Sequence, residues 1–353
     1  MARRKDRRGP LEPRSQAILR AVIEEYVTSA APVGSQALVE RYELGVSSAT
    51  VRNVMAELEA AGYLSHPHTS AGRVPTDAGY RLYVESLAPS FSLAPVEQLM
   101  IRHQFGQVEF ASEQWFRLAA TTLAGATRAA GLATPAKPRS CRVRRIDLVA
   151  TSTRAASLVV VLAEGSVKQE LLPLEVPVEQ RELDLIVQLL NERLGDCSVR
   201  QLPRRIEELQ TQPETPRLAL RAALRVERMM REFDAAAVED VFSDGLLYVM
   251  EAPEFSQSQT LRRVFNALQD RDYLGGLVRR IAGRGEVQVL IGAENEAQEM
   301  HNVSLILAPY GQPGRAMGVV GVLGPTRMAY PQAIGSVRYV SGLMNELVEQ
   351  LYR

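Results

Sequence analysis

Residues 35–62 read SQALVERYELGVSSATVRNVMAELEAAG, two short helical patterns separated by a tight turn. The first pattern begins at Ser35, a residue type that caps helices, and it ends at Leu44-Gly45. The second is capped by Ser47 and closed by Gly62, since glycine suits the left-handed conformation that follows a helix. Two short helices of this kind, the second entered by Ser-Ser-Ala-Thr, predict a helix-turn-helix motif.

The flanking residues extend this motif to a winged helix. Upstream, residues 13–30 place apolar side chains at helical spacing. Downstream, Tyr63-Leu64-Ser65 favours a short strand, residues 66–72 favour a loop, and Arg73-Val74 begins a return strand. Thr76 then caps a further predicted helix. We expect a basic flexible arm over 1–12, a winged-helix DNA-binding domain over 13–88 and a linker over 89–100.

The helix that starts at Ser47 has two different sides. Its apolar side consists of Val51, Val54, Met55 and Leu58, and its opposite side carries small residues and two polar ones, namely Ala49, Arg52, Asn53, Ala56 and Ala60. Small residues allow a helix to lie deep in a major groove. Arginine pairs with guanine, asparagine pairs with adenine, and an alanine methyl meets the thymine methyl. The alternative is an ordinary exposed helix of small residues.

Two other groups of residues are suited to phosphate contacts. Hydroxyls and free N–H groups at the start of this helix favour phosphate, and the loop before Arg73 is polar and cationic at one end. Two histidines in that loop, without a nearby cysteine or carboxylate, make a poor metal site, so we expect no metal. The predicted DNA-binding residues are Ser47, Ser48, Ala49, Thr50, Arg52, Asn53, His68, Thr69, Ser70 and Arg73.

Charge is balanced over the whole chain but not at its start. The 353 residues include 41 basic and 41 acidic side chains, which excludes a histone-like polycation and an acidic tail protein. Residues 1–20 nevertheless carry seven basic against two acidic side chains, and residues 21–88 carry four basic against eight acidic. A basic arm of this kind binds phosphate if DNA is the partner, and otherwise acts as a solubilising terminus.

The remainder of the chain has a mixed α/β pattern interrupted by a helical segment. Apolar runs at both ends of this region predict strands, and residues 217–237 predict a helix. We expect one α/β domain in two parts, over 101–209 and 261–353, interrupted by a largely helical insertion over 210–260. The expected fold class is therefore α+β and multidomain.

The helix over 217–237 has an apolar stripe whose partner the sequence leaves open. The stripe either packs within the same chain or against a second subunit. We favour the second subunit, since helix-turn-helix repressors commonly bind palindromic sites as dimers. The predicted dimer-interface residues are Ala219, Ala222, Val226, Met229 and Phe233.

One long motif resembles a known family. Gly62-Tyr63-Leu64, the run from Pro67 to Thr76, and Gly79-Tyr80-Arg81-Leu82-Tyr83-Val84 are similar to the bacterial heat-inducible transcription repressors, the HrcA family. Pro32-Val33-Gly34-Ser35 and the run from Gly321 to Met328 share the resemblance. It implies that the two-part α/β domain is GAF-like and that the insertion within it is a dimerisation domain. It further implies repression of chaperone operons through an inverted-repeat operator bound by a homodimer, and support of that activity by the GroEL chaperonin.

Other function classes find less support in the sequence. We recognise no Walker A, His-Glu-x-x-His or Gly-x-Ser-x-Gly motif, so we expect no catalytic residues, no cofactor and no enzyme activity. The main alternative is a metabolite-sensing transcriptional regulator whose GAF-like domain binds a small ligand. A third possibility is an α/β enzyme with an accessory DNA-binding domain. It would need a set of catalytic residues, which we do not find in the sequence.

Cysteine content and hydropathy indicate the compartment. Cys141 and Cys197 are too few for a disulfide framework, although the arginines around Cys141 leave a redox role open against that of an inert thiol. The longest apolar run, near residues 158–163, is far below the ~20 residues that span a bilayer. The charged start lacks the apolar core of a secretory signal. We expect a cytoplasmic protein without a membrane partner.

Overall fold

The structure is a computed structural model. It describes residues 11–67, 72–87, 91–108, 112–136, 141–163, 165–235, 241–255, 264, 266, 273, 276–277, 280–281, 286–312 and 316–351. The chain forms two compact units. Unit 1 comprises Met1–Pro135, Asp240–Tyr310 and Val319–Arg353, and unit 2 comprises Ala136–Glu239 and Gly311–Gly318.

Both units contain helices and strands. The helices are α1 (Pro13–Ser29), α2 (Ser35–Arg41), α3 (Ser48–Ala60), α4 (Asp77–Leu87), α5 (Pro95–Gly106), α6 (Ser112–Thr127), α7 (Gln180–Leu194), α8 (Leu202–Gln210), α9 (Arg217–Ala235), α10 (Leu246–Met250) and α11 (Tyr330–Leu351). The strands are β1 (Leu64–Ser65), β2 (Val74–Pro75), β3 (Ala130–Ala133), β4 (Val143–Ser152), β5 (Ala155–Leu162), β6 (Val167–Pro173), β7 (Phe242–Asp244), β8 (Gln288–Ile291), β9 (Val303–Gln312) and β10 (Ala316–Pro325). None of the helices in the described ranges is long and apolar enough to span a membrane.

The N-terminal part of unit 1 has the elements that the sequence predicts. Helices α1 to α3 are followed by the antiparallel pair β1–β2 and then by α4. Their apolar faces meet in one core, because Val22 of α1, Leu38 of α2 and Val51 of α3 are each 0% exposed. One detail differs from the prediction: Gly34 occupies the cap position of α2, and the Ser35 hydroxyl instead lies 3.1 Å from that of Ser48.

The second part of unit 1 is a five-stranded sheet in the order β7-β3-β10-β9-β8. Strand β10 pairs antiparallel with β3, and β3 pairs antiparallel with β7. Helix α6 lies close against β3, since a side chain at Gly131 would meet the Ala120 carbonyl oxygen at 1.9 Å. The final helix α11 contributes buried residues such as Val337 and Val340 to the same core.

Unit 2 is a three-stranded antiparallel sheet, β4-β5-β6, with helices α7, α8 and α9. One face of the sheet is buried with these helices in a single core, in which Leu148, Leu158, Leu190, Leu209 and Ala222 are all at most 2% exposed. The opposite face contains side chains that this core does not cover. The two faces follow from the alternation of side chains along each strand.

Unit 2 interrupts the residues of unit 1, and its bounds differ from those predicted for the insertion. Strands β3 and β7 are neighbours in one sheet, so the segment between them, rather than 210–260, interrupts the sheet domain. The predicted boundary at 209/210 is wrong because Leu209 and Ala219 belong to the same hydrophobic core. The predicted linker over 89–100 also contains the start of α5.

The predicted dimer-interface residues are likewise corrected. The stripe on α9 packs inside unit 2 and is therefore unavailable to a second subunit. Ala219, Ala222 and Val226 are 0% exposed and Met229 is 8% exposed. Phe233 is half-buried against the same core, with Lys168 Nζ 4.8 Å from the centre of its ring. Of the two partners that the sequence left open, the structure assigns this stripe to the same chain.

Candidate nucleic-acid interface

Helix α3 presents the face that the sequence predicts. Its apolar side is buried, with Val51 0%, Met55 1% and Leu58 1% exposed. On the other side, the small and polar residues are exposed, namely Ala49, Arg52, Asn53, Ala56 and Ala60. This exposed face is as wide as the predicted one, and no bulky apolar side chain interrupts it within the described helix.

The start of α3 is fixed by hydroxyl contacts. The Ser47 hydroxyl accepts a hydrogen bond from the Thr50 backbone N–H at 3.2 Å, which confirms the predicted cap. The Thr50 hydroxyl lies 3.0 Å from that of Ser47. Ser48 is half-buried beside Ser35 and thereby joins the starts of α2 and α3. A hydroxyl donates one hydrogen bond and accepts two, so these groups retain capacity for a phosphate oxygen.

Arg52 differs from most of the nearby arginines. Four of the six arginines in residues 11–67 and 72–87, namely Arg20, Arg41, Arg73 and Arg81, form ion pairs with glutamates. Within the part of the chain that the structure describes, neither Arg52 nor Asn53 has a hydrogen-bond or ion-pair partner. Both side chains are exposed, so a ligand can bind them without first breaking an internal contact.

Arg73 is used within the chain. Its Nε lies 2.8 Å from Oε2 of Glu59 on α3, and its side chain is only 15% exposed. The backbone groups of Arg73 and Val33 exchange hydrogen bonds of 2.9 and 3.0 Å. His66 Nδ1 also lies 3.9 Å from Glu59. Arg73 therefore fastens the β1–β2 pair to α3 and to the residues before α2, and its contact with phosphate stays a prediction.

The same attachment requires glycine at position 72. Gly72 has a φ of +88°, and a Cβ there would lie 2.5 Å from the Val33 carbonyl oxygen. A side chain would be strained by both the conformation and the contact. The predicted loop residues His68, Thr69 and Ser70 lie outside the described residues.

Several features of this site were not predicted from the sequence. The pairing of Glu59 with Arg73 links residues 14 apart through a turn whose geometry the sequence does not specify. The opposite charges of Glu59 and Arg73 were the feature of the sequence that could have indicated this pairing. Cys141 is 0% exposed in the core of unit 2, which favours the inert thiol over the redox role.

Comparisons with known proteins place the chain in one family. A family model described as the HrcA protein C terminal domain matches residues 113–334. The heat-inducible transcription repressor HrcA of Roseiflexus castenholzii is 42% identical over 348 residues, covering 97% of this chain and 96% of the relative. That of Chloroflexus aggregans is 42% identical over 359 residues, covering 98% of this chain and 94% of the relative.

A solved structure supports the fold. A crystal structure of a hypothetical protein at 2.2 Å resolution matches with a TM-score of 0.63 and 23% identity, and covers 97% of this chain and 100% of that one. The sequence matches extend over almost the full length of both the chain and its relatives. This chain therefore belongs to the HrcA family of heat-inducible transcription repressors.

Proposed function

We propose that this chain represses heat-shock genes as a homodimer that binds an inverted-repeat operator through two winged helices. Membership of the family makes it a negative regulator of heat-inducible transcription. The observation that carries the DNA-binding proposal is the exposed face of α3, on which Arg52 and Asn53 stand among alanines with no partner in the described residues. On such a face the small alanines let the helix come close to the bases, and Arg52 and Asn53 supply two side chains that pair with specific bases.

The two polar side chains have distinct roles in this proposal. Arg52 donates two hydrogen bonds to the O6 and N7 atoms of a guanine, and Asn53 pairs with the N6 and N7 atoms of an adenine. Ala49 and Ala56 lie on the same exposed face and allow the helix backbone to come close to the bases. Base contacts of this kind select the sequence.

Phosphate contacts hold the helix in register. Ser47, Ser48 and Thr50 bind backbone phosphate together with the N–H groups at the start of α3, and the loop residues His68, Thr69 and Ser70 bind phosphate from the wing. Arg14, which is exposed and has no ion-pair partner among the described residues, lies at the start of α1 and adds a positive charge. Residues 21–88 are net acidic, so the arginines before them supply most of the attraction.

The open face of the unit 2 sheet replaces α9 as the proposed dimer interface. This face combines apolar side chains with polar ones: Val161 pairs with Val167 and Ser157 pairs with Leu171, while Gln169 donates a hydrogen bond to Ser157. Val167 and Leu171 are 59% and 62% exposed on the same strand, and neighbouring exposed apolar side chains are typical of an interaction site. A second copy would bury the same face of its own sheet against this one, as two-fold symmetry requires. We assign unit 2 to the dimerisation domain and the five-stranded sheet to the GAF-like domain.

The chaperonin is the remaining partner in the proposal. GroEL raises the fraction of repressor that is folded and competent to bind DNA, so heat-damaged protein that occupies the chaperonin relieves repression. Titration of an operator fragment with repressor, with and without GroEL and ATP, measures this fraction. We expect the active fraction to rise with GroEL, and an unchanged fraction would remove this partner from the proposal.

A mobility-shift assay tests the core of the proposed function. Purified protein is titrated against three fragments of equal length: the region upstream of the host's chaperone genes, the same region with one half-site scrambled, and unrelated DNA. Two half-sites bound together give an affinity well above that for one. We expect the full operator to bind about 100-fold more tightly than the half-site fragment. Equal affinity for all three fragments would contradict sequence-specific dimeric binding.

A further inference from the structure

A cluster of polar contacts joins α4 to the residues that follow β8. The Arg81 guanidinium pairs with both carboxylate oxygens of Glu294, with Nε 2.7 Å from Oε1, and donates from Nη2 to the Val289 carbonyl at 2.6 Å. The Asp77 carboxylate accepts a hydrogen bond from the Ala293 N–H at 2.9 Å. A two-pronged arginine–carboxylate pair fixes orientation as well as distance. These contacts therefore fix α4 at two points one turn apart.

The approach of Asp77 depends on a glycine. Gly292 has a φ of +49°, and a Cβ at this position would lie 2.2 Å from Oδ2 of Asp77. Any other residue would push the carboxylate away from the Ala293 N–H. The turn after β8 is therefore shaped to receive the start of α4.

A second anchor joins α1 to the residues that follow β10. Arg327, whose side chain is 15% exposed, donates from Nη1 to the Val27 carbonyl in the last turn of α1 at 2.7 Å. Its Nε lies 2.7 Å from Oε1 of Glu254. Carbonyl groups at the end of a helix lack helical partners and carry partial negative charge, so an arginine is well suited to this position.

An aromatic contact joins the same two parts of unit 1. The rings of Tyr80 and Tyr330 are 5.6 Å apart. Tyr80 is 2% exposed, yet its hydroxyl has no hydrogen-bond partner among the described residues. An unsatisfied buried hydroxyl has a free-energy cost, so this docking is less favourable than its contact area suggests. We call the contacts of Asp77, Arg81 and Arg327 the clasp.

The clasp leaves the proposed DNA-binding face uncovered. Arg52, Asn53 and Ala56 remain exposed while α1 and α4 are held. Since α1, α3 and α4 share one core, holding α1 and α4 also fixes the direction in which α3 points. The clasp thus acts on the position of the recognition helix and does not block it.

We propose that the clasp determines which spacing between operator half-sites the repressor accepts. The inference rests on the proposed dimeric function, because spacing matters only when two recognition helices bind one DNA molecule. A rigidly held pair of helices meets half-sites at one separation and one helical phase. A pair held without the clasp would reach several separations, at a lower effective concentration for each.

The test varies operator spacing and clasp residues together. Operators with natural spacing, with about 5 inserted base pairs (half a turn) and with about 10 (a full turn) are bound by the wild type, Arg81→Ala, Glu294→Gln and Arg327→Ala. We expect the half-turn insertion to weaken wild-type binding about 100-fold. In the clasp variants this penalty should fall below about 10-fold, while affinity for the natural spacing declines.

Control experiments distinguish a change in the position of the recognition helices from a loss of folding. Arg102→Ala removes a different arginine–glutamate pair of unit 1, with Glu346, and should keep the wild-type spacing preference. Binding of each variant to a single half-site should equal that of the wild type, which a loss of folding would not allow. If the wild type itself shows no spacing preference, the dimeric function fails. If the wild type shows one and all three clasp variants retain it, the clasp inference alone is overturned.

Discussion

At the scale of single residues, solvent exposure and ion pairing distinguish side chains for which the sequence predicts the same role. Arg52 and Arg73 were both predicted to contact DNA, yet the first is exposed without a partner in the described residues and the second is paired with Glu59. The helical period was enough to predict which side of α3 is free. It could not predict the pairing of Arg73, because that contact depends on the path of the chain between α3 and β2.

The first prediction concerns Arg52 and Asn53. Replacing either with alanine should cost on the order of 1–3 kcal/mol of binding free energy for the correct operator, because a base-specific pair is removed. Base preference should relax at one position in each half-site, while affinity for unrelated DNA changes less. Titration against operators with single base changes measures this. Uniform loss on every sequence would exclude α3 as the recognition helix.

The second prediction concerns Arg73. Arg73→Ala should lower the free energy of unfolding by roughly 1 kcal/mol, because it removes a partly buried ion pair with Glu59. Urea unfolding of Arg73→Ala, Glu59→Gln and the double variant measures the coupling between the two side chains. Operator and unrelated DNA should lose affinity by similar factors. A changed base preference in Arg73→Ala would show instead that the wing selects sequence.

At the scale of helices and strands, long periodic segments were predicted well, whereas two short strands, β3 and β7, were missed. Helices α1, α3 and α9 lie close to their predicted bounds. Strand β3 has only four residues, Ala-Gly-Leu-Ala, which lack the β-branched and aromatic side chains that mark a strand, and β7 has three. Because β3 and β7 were not predicted from the sequence, the predicted insertion begins too late in the chain.

The third prediction concerns the open face of the unit 2 sheet. Leu171→Asp should convert the dimer to a monomer at micromolar concentration, because it puts a charge into the proposed apolar interface. Leu185→Asp is the matched control, since Leu185 is 69% exposed on α7. Sedimentation velocity of both variants measures the outcome. A Leu171→Asp protein that remains dimeric, or a Leu185→Asp protein that dissociates, would assign the interface elsewhere.

At the scale of the whole molecule, positive charge is concentrated at the start of the chain, where the basic arm lies, and this makes the arm important for DNA binding. Residues 21–88 are net acidic, whereas the first 20 residues carry seven basic side chains. Binding of such a protein to DNA depends on where the positive charge is placed, since attraction to phosphate varies with the number of phosphates that are neutralised. Family membership and this asymmetry were both accessible from sequence.

The fourth prediction follows from this distribution. Removing residues 1–10 deletes five basic side chains and one acidic one. Binding to operator and unrelated DNA should weaken alike, and the slope of log affinity against log salt should become shallower by about 0.9 for each phosphate that the arm no longer neutralises. Titrations at several salt concentrations give the slope. An unchanged slope would assign the arm to solubility.

Dimethyl sulfate protection of the operator tests most directly the claim that two copies of α3 bind the major groove of an inverted repeat. The reagent methylates guanine N7, the atom that the proposed Arg52 contact covers. Wild-type protein should protect guanines at symmetric positions in both half-sites, upstream of the host's chaperone genes, and Arg52→Ala should lose that protection at one position in each half-site. Protection that is absent, confined to one half-site or unaffected in Arg52→Ala would contradict the account.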